Sequence, residues 1–111
     1  MITPDDFRRL ALALPGAVES SHMGTVDFRC GKIFATLGNP DADWAMVQLT
    51  PDQQEMRVAA EPGIFVPVPG GWGRRGSTRL RLSACNEATA RGALLDAWRN
   101  VAPKALLDAQ A

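Results

Sequence analysis

The stretch TVDFRCGKIFATL, residues 25–37, decides the fold, because it contains two strands and the turn between them. Polar and apolar side chains alternate over residues 25–30, and they alternate again over residues 32–37, after Gly31. A period of two places every second side chain on the same face of a sheet, and glycine accepts the positive φ of a tight turn. The stretch therefore predicts an antiparallel hairpin with one buried face.

Three more segments have the same period. Residues 44–49 (WAMVQL) follow a polar loop and predict a third strand, and residues 78–82 (TRLRL) predict the last strand of the chain. Residues 64–68 (IFVPV) predict a short strand. Pro67 confines that strand to an edge of the sheet, because proline donates no ladder hydrogen bond.

Helices are predicted between and around these strands. Thr3 and Thr50 each precede a proline, which suits a capped helix start, and Asn86 caps the final helix. The expected order is helix, three strands, helix, one or two strands, helix. This order predicts a two-layer α+β domain over residues 1–111, with helices packed on a single antiparallel sheet of four or five strands.

The composition excludes several classes of protein. Twelve Lys and Arg oppose twelve Asp and Glu, so the formal net charge is zero, which excludes a strongly basic nucleic-acid coat and an acidic disordered tail. No run of 18 apolar residues exists, so we expect no membrane partner. Residues 1–6 (MITPDD) lack the pattern of a signal peptide, and we therefore expect a cytoplasmic protein.

Cysteine and histidine are scarce. The chain has Cys30, Cys85 and a single histidine, His22, which are too few for a zinc site, so we expect no metal and no cofactor. The two thiols are expected to be buried in a reducing compartment. We expect no enzyme activity, because the residues show no catalytic constellation. A catalytic alternative would need a cleft that brings His22 to Glu19 or Asp27 and a strongly perturbed pKa there. Trp44 and Trp98 are expected to pack in the core.

The zero net charge conceals an uneven distribution. Residues 1–61 hold five basic and nine acidic side chains, whereas residues 62–111 hold seven basic and three acidic ones. The basic residues are densest just after Trp72, at Arg74, Arg75, Arg79 and Arg81. Arginine forks bind phosphate, and an indole stacks on a base, so the cluster indicates an anion site. The alternative is a solvated strand face with a flexible hairpin whose tryptophan packs on the sheet.

Five segments, in order, resemble the MmcQ/YjbR family of small bacterial proteins: LPGAVESSHMG (14–24), DFRCGKIFATL (27–37), WAMVQLTPDQQ (44–54), FVPVPGGW (65–72) and WRNVAPK (98–104). The resemblance implies helix, three strands, helix, two strands, helix, and a double-wing DNA-binding surface built from hairpins. The wings would be the Cys30–Gly31–Lys32 turn and a hairpin over residues 72–81. The resemblance implies no catalytic residue, and it implies no role for the family positions Pro15, Gly16, Ala17, Glu19 and His22.

Two functional hypotheses follow. In the first, the chain is a weak, largely sequence-independent DNA-binding module. Its phosphate contacts would be Arg74, Arg75, Arg79 and Arg81, assisted by Arg29 and Lys32, with Trp72 stacking or wedging. Four such contacts predict a slope of log K against log salt of about −3.6.

In the second hypothesis, the chain is a protein- or ligand-interaction domain that binds no nucleic acid. Its recognition loop would be residues 65–75, marked by an exposed apolar patch of Phe65, Val66, Val68 and Trp72. The partner is thus DNA in the first hypothesis and another protein or ligand in the second. A monomer is expected in both.

Overall fold

The computed structural model describes residues 1–109 and shows one antiparallel sheet of six strands. The strands are β1 (Val18–His22), β2 (Thr25–Cys30), β3 (Lys32–Leu37), β4 (Trp44–Gln48), β5 (Phe65–Pro67) and β6 (Ser77–Arg81). Their order across the sheet is β1-β2-β3-β4-β6-β5. The helices are α1 (Pro4–Leu12), α2 (Pro51–Ala60), α3 (Gly71–Arg74), α4 (Glu87–Val101) and α5 (Lys104–Ala109). The predicted α+β fold with a single antiparallel sheet is confirmed.

The number of strands was predicted wrongly, because β1 has no sequence signal. All five of its residues (VESSH) are exposed, so no alternation of apolar side chains marks it. It forms through backbone pairing with β2, from Val18 opposite Arg29 to His22 opposite Thr25. The connecting residues Met23 and Gly24 both have positive φ, as a tight hairpin turn requires. The four or five predicted strands are therefore six.

The predicted helix starts are confirmed. The Thr3 hydroxyl accepts a hydrogen bond from the backbone N–H of Asp6, and the Asp6 carboxylate accepts one from the N–H of Thr3. Thr50 and Gln53 form the same reciprocal capping box at α2. The Asn86 side chain accepts from the N–H of Thr89 at the start of α4. These caps satisfy backbone donors that have no partner inside a helix.

The core lies between the sheet and the helix layer formed by α1 and α4. Phe28, Ala35, Val47 and Leu80 point toward this layer and are buried. Trp98 of α4 is fully buried as predicted, and its indole N–H donates to the carbonyl of Pro15. No helix within residues 1–109 is long and apolar enough to cross a bilayer.

The opposite face of the sheet carries no long helix, and we call it the open face. Trp44 lies there, half-buried, because its neighbour Ala45 takes the position that points into the core. The prediction that Trp44 packs in the core is therefore wrong. Strand alternation allows only one of two successive side chains to face the helices.

The hairpin predicted over residues 72–81 has different bounds: its strands are β5 and β6, which pair antiparallel, and residues 72–76 belong to the connection between them. The chain makes the helical turn α3 and then enters β6, which pairs with β4 and β5. Two glycines allow the chain to pass close to the backbone of neighbouring segments. A Cβ at Gly73 would lie 1.7 Å from the carbonyl oxygen of Val68, and a Cβ at Gly76 would lie 1.9 Å from that of Leu49. Arg74 and Arg75 are therefore held on an ordered turn, whereas the turn at Gly31 forms as predicted.

Candidate functional site

A groove with a volume of about 330 Å³ crosses the open face. It is lined at one end by His22 and Thr25, in the middle by Thr36 and Met46, and at the other end by Trp72 and Arg79. These residues come from β1, β2, β3, β4, α3 and β6. The groove therefore runs across the strands rather than along them.

Strand β6 brings two of the predicted arginines to the open face, in different environments. Arg81 lies over the ring of Trp44, with its Cζ 4.4 Å from the ring centroid, and its Nη1 is 3.6 Å from Oδ2 of Asp43. Arg79 is half-buried in the groove. It forms no ion pair with any carboxylate within residues 1–109. Arg79 thus keeps an uncompensated charge, whereas that of Arg81 is partly neutralised.

The turn α3 places an exposed tryptophan beside two more arginines. The side chain of Trp72 is 66% exposed, and the Arg75 guanidinium stacks on its ring with Cζ 4.9 Å from the centroid. The guanidiniums of Arg74 and Arg75 converge, since a Cβ built on Gly71 would lie within 4 Å of both. Neither arginine forms an ion pair in the part of the chain that the structure describes. An indole and two free cations are therefore presented together.

Helix α2 holds this turn in place from the other side of the sheet. The Gln54 amide nitrogen is 2.9 Å from the carbonyl oxygen of Gly73, 3.1 Å from that of Ser77 and 3.1 Å from the Thr78 hydroxyl. These acceptors belong to α3 and to the first residues of β6. The amide thus fixes the position of Trp72 relative to Arg79.

At the other end of the groove, His22 and Arg29 share a buried carboxylate. The side chain of Asp27 is fully buried. It accepts hydrogen bonds from Nε and Nη2 of Arg29 at 2.7 and 3.0 Å and from Nδ1 of His22 at 2.7 Å. The hydrogen bond from Arg29 is the main reason why the pKa of Asp27 lies below its usual value, against the opposing effect of burial. An ionised Asp27 requires the proton on Nδ1 of His22, so Nε2 is the acceptor in the neutral ring.

The contact between His22 and Asp27 meets one condition of the catalytic alternative, but the fully buried Asp27 does not line the groove. The same contacts have a structural effect. His22 is the last residue of the edge strand β1, and Asp27 lies on β2, so the hydrogen bond fastens the edge to the sheet. The guanidinium of Arg29 donates to the same carboxylate, so it is engaged within the protein.

The structure separates the other family positions from the groove. Glu19 accepts a hydrogen bond from Arg8 of α1, and the Pro15 carbonyl accepts from Trp98. Gly16 has a φ of 72°, and a Cβ there would lie 2.8 Å from Leu106. These residues join the sheet to the helix layer. Among the family positions named above, only His22 lines the groove.

Two further predicted features lie wholly or partly outside this surface. Lys32 pairs with Cys30, whose side chain is in the core, so its side chain starts on the helix side of the sheet. The predicted apolar patch is smaller than expected because Phe65 is 1% exposed. Val66 and Trp72 remain exposed, and Val68 is half-buried.

Sequence reasoning missed Gln48, Ser77 and Thr36, which also line the groove. Gln48 and Thr36 occupy polar positions in the alternation of predicted strands, whereas Ser77 lies one residue before the predicted start of the last strand. Sequence alone did not show that the outward positions of separate strands meet in one groove. That conclusion requires the order of the strands in the sheet.

The fold and the groove can be compared with known proteins. The YjbR family model matches residues 12–100 of the chain. The chain belongs to the YjbR family. Its structure is similar to the crystal structure of Deinococcus radiodurans protein DR2400, with the family-model domain DUF419, at a TM-score of 0.70. The identity is 18%, and the similarity covers 88% of this chain and 77% of that one. At this identity the likeness shows the fold alone.

No curated protein matches this YjbR-family chain. The family match confirms the resemblance found in the sequence and adds no residue roles. Function must therefore be argued from the groove and the charges around it.

Proposed function

We propose that this YjbR-family domain binds single-stranded nucleic acid across the open face of its sheet. The observation that carries the proposal is the groove in which the exposed Trp72 lies beside Arg79, an arginine with no carboxylate partner within residues 1–109. Bases would stack on the indole, and phosphates would approach the arginines.

The charges on this face favour an anionic ligand. Three arginines, Arg74, Arg75 and Arg79, form no ion pair among the described residues. Two carboxylates that contact side chains of this face, Asp27 and Asp43, already bind arginines and accept further hydrogen bonds from His22 and Ser83. The face is therefore locally positive although the whole chain has zero formal net charge.

The geometry favours a single strand over a duplex. Reading the major groove of DNA requires a protruding helix or a two-stranded ribbon, which the open face does not offer. A sheet with an exposed aromatic ring instead stacks bases that are free of a pairing partner. Trp72 presents such a ring, and the groove leads away from it across the sheet. The proposal therefore replaces the double-wing surface with the open face.

The interaction is expected to be weak and sensitive to salt. Three uncompensated arginines predict a slope of log K against log salt of about −2.1 for a single strand. This slope corresponds to an affinity loss of roughly 20-fold between about 50 and 200 mM salt. The value is smaller than the sequence predicted, because Arg81 contacts Asp43 and single strands release fewer counterions.

The test is fluorescence anisotropy with a labelled oligothymidine of about 12 nucleotides. Arg79→Ala should weaken binding and reduce the salt slope by about 0.7. Arg99→Ala is the matched control, because Arg99 is exposed on α4, on the other side of the sheet, and also forms no ion pair among the described residues. No binding at about 50 mM salt would contradict the proposal, as would equal effects of the two substitutions.

The proposal includes a monomeric protein that acts in the cytoplasm, where single-stranded nucleic acid is present.

Trp72→Ala should weaken binding more than Trp72→Phe, because base stacking on an aromatic ring contributes about 1–3 kcal/mol. A duplex of the same length should bind less tightly than the single strand. A duplex that binds as tightly would show that stacking on Trp72 is not used.

A further inference from the structure

We infer that the groove prefers nucleotides whose base carries a carbonyl at position 6 of a purine or position 4 of a pyrimidine, namely guanine, thymine and uracil, over adenine and cytosine, which carry an amino group there. This inference rests on the proposed function and specifies which strands the open face prefers. It is carried by the hydrogen-bonding groups that Gln48, Ser77 and Arg79 present at one wall of the groove.

The amide of Gln48 is oriented by its neighbours. The hydroxyl of Ser77, which is 3% exposed, donates to Oε1 of Gln48 at 2.7 Å. The Gln48 amide nitrogen lies 3.5 Å from the carbonyl oxygen of Leu49, at the limit of hydrogen-bonding distance. A reversed amide would place two acceptor oxygens against each other there. This orientation leaves one N–H of Nε2 and one lone pair of Oε1 free, so Gln48 can add an N–H donor to the wall beside Arg79.

Arg79 adds further donors to the same wall. A guanidinium has five N–H donors and no acceptor, and that of Arg79 has no carboxylate partner within residues 1–109. Gln48 lies opposite Ser77 in the ladder, so it is the diagonal neighbour of Arg79. Diagonal residues are about 7–8 Å apart, within reach of long side chains. A single base can contact both.

The floor of the groove suits the ring of that base. Ile33 and Met46 line it from neighbouring strands, and Trp72 closes one end. These apolar surfaces accept a flat ring without selecting one base. Thr36 and Asn39 also line the groove, but a hydroxyl and an amide both donate and accept, so they discriminate little.

Donors at the wall distinguish carbonyl from amino groups. Guanine presents O6 and N7 as acceptors, and thymine presents O4, whereas adenine and cytosine place the donors N6–H₂ and N4–H₂ at the equivalent positions. An amino group facing Arg79 and Gln48 would leave donors on both sides without a partner. We expect a preference of about tenfold for the base with a carbonyl rather than an amino group at position 4 of a pyrimidine or position 6 of a purine.

The experiment compares oligothymidine with oligocytidine of the same length by anisotropy at one salt concentration. Both strands are pyrimidines with a carbonyl at position 2. They differ in the carbonyl or amino group at position 4, in the N3–H that only thymine carries and in the 5-methyl group of thymine, and oligouridine serves as the control without the methyl group. Arg79→Lys keeps the charge but removes the fork, so it should reduce the preference while leaving the salt slope unchanged. Gln48→Glu presents acceptors and should shift the preference toward cytosine.

The outcomes separate this inference from the proposed function. Equal affinities of the wild-type protein for the two strands would overturn the base preference and leave strand binding intact. No binding of either strand would overturn both. A preference that survives Arg79→Lys and Gln48→Glu would show that other residues read the base. If Gln48→Glu does not fold, the wild-type ratio and Arg79→Lys still decide.

Discussion

At the residue scale, the buried carboxylate of Asp27 holds two side chains of the open face, His22 and Arg29. A fully buried carboxylate is unfavourable unless its lone pairs are satisfied, and Arg29 and His22 supply three hydrogen bonds. Asparagine has nearly the same shape but no charge, and its amide group would face donors. The effect of that substitution measures how much the ionised form of Asp27 contributes.

We predict that Asp27→Asn lowers the free energy of unfolding by about 1–3 kcal/mol at neutral pH, because charged hydrogen bonds are lost in a buried place. Arg29 and His22 are partly exposed and can be rehydrated, which limits the loss. Urea denaturation measures the change. Asp5→Asn is the control, because the Asp5 side chain is 90% exposed and its ion pair with Arg8 should contribute less than about 0.5 kcal/mol. Equal effects of the two substitutions would contradict this role for Asp27.

Because the pKa of Asp27 is lowered in the folded chain, we predict that its contribution to the free energy of unfolding is lost in acid. The pKa of Asp27 is lowered in the folded chain from an ordinary value of 3.8, so the unfolded chain binds more protons in that range. The stabilisation is fully present above the ordinary value and is lost as the pH falls through the lowered pKa. The difference in unfolding free energy between wild type and Asp27→Asn should therefore shrink as the pH falls below 3.8. A difference that grows with acid would contradict the assignment.

The sequence alone does not show which arginines lack a carboxylate partner and can bind a ligand. Arg79 and Arg81 have the same polar position in the alternation of β6, and only the fold brings Asp43 to Arg81. Similarly, Arg29 follows Asp27 at the spacing of one strand face, which permits their contact. The participation of His22 depended on β1, a strand without a sequence signal.

At the element scale, the turn α3 decides where Trp72 and the two neighbouring arginines lie. A helix of four residues has little stability of its own. It is fixed by the close approach of Gly73 to the backbone of Val68 and by the hydrogen bonds from Gln54 of α2. The alternation and the caps predicted the longer elements correctly, because those signals are local. The contacts that fix α3 are tertiary, so sequence patterns did not predict a helical turn at residues 71–74.

We predict that Gly73→Ala destabilises the fold by at least about 1–3 kcal/mol, because the added Cβ would lie 1.7 Å from the backbone oxygen of Val68. Gly63→Ala is the control, since nothing lies within 4 Å of its added Cβ. That substitution should be neutral or stabilise slightly by restricting the unfolded chain. Urea denaturation of both variants provides the measurement. Similar stability of the two variants would show that α3 does not depend on the contact at Gly73.

At the scale of the whole molecule, the sheet divides the protein into two parts. The face toward α1 and α4 contains the core, and residues with outward positions in the alternation meet on the open face. The sequence predicted the layers from alternation and helix caps. It predicted the basic cluster but not the groove, because a groove across several strands requires the order β1-β2-β3-β4-β6-β5. No local sequence pattern shows the order of the strands in a sheet.

The three tryptophans provide the most direct measurement, because each lies in a different environment. Trp72 is exposed at the groove, Trp44 is half-buried on the open face, and Trp98 is fully buried with its indole N–H bonded to Pro15. The measurement is the indole N–H signals of ¹⁵N-labelled protein during titration with oligothymidine at low salt. We predict that the signal of Trp72 shifts progressively while that of Trp98 stays in place. An unchanged Trp72 signal when the strand is bound, or when it is present in large excess, would contradict binding across the open face.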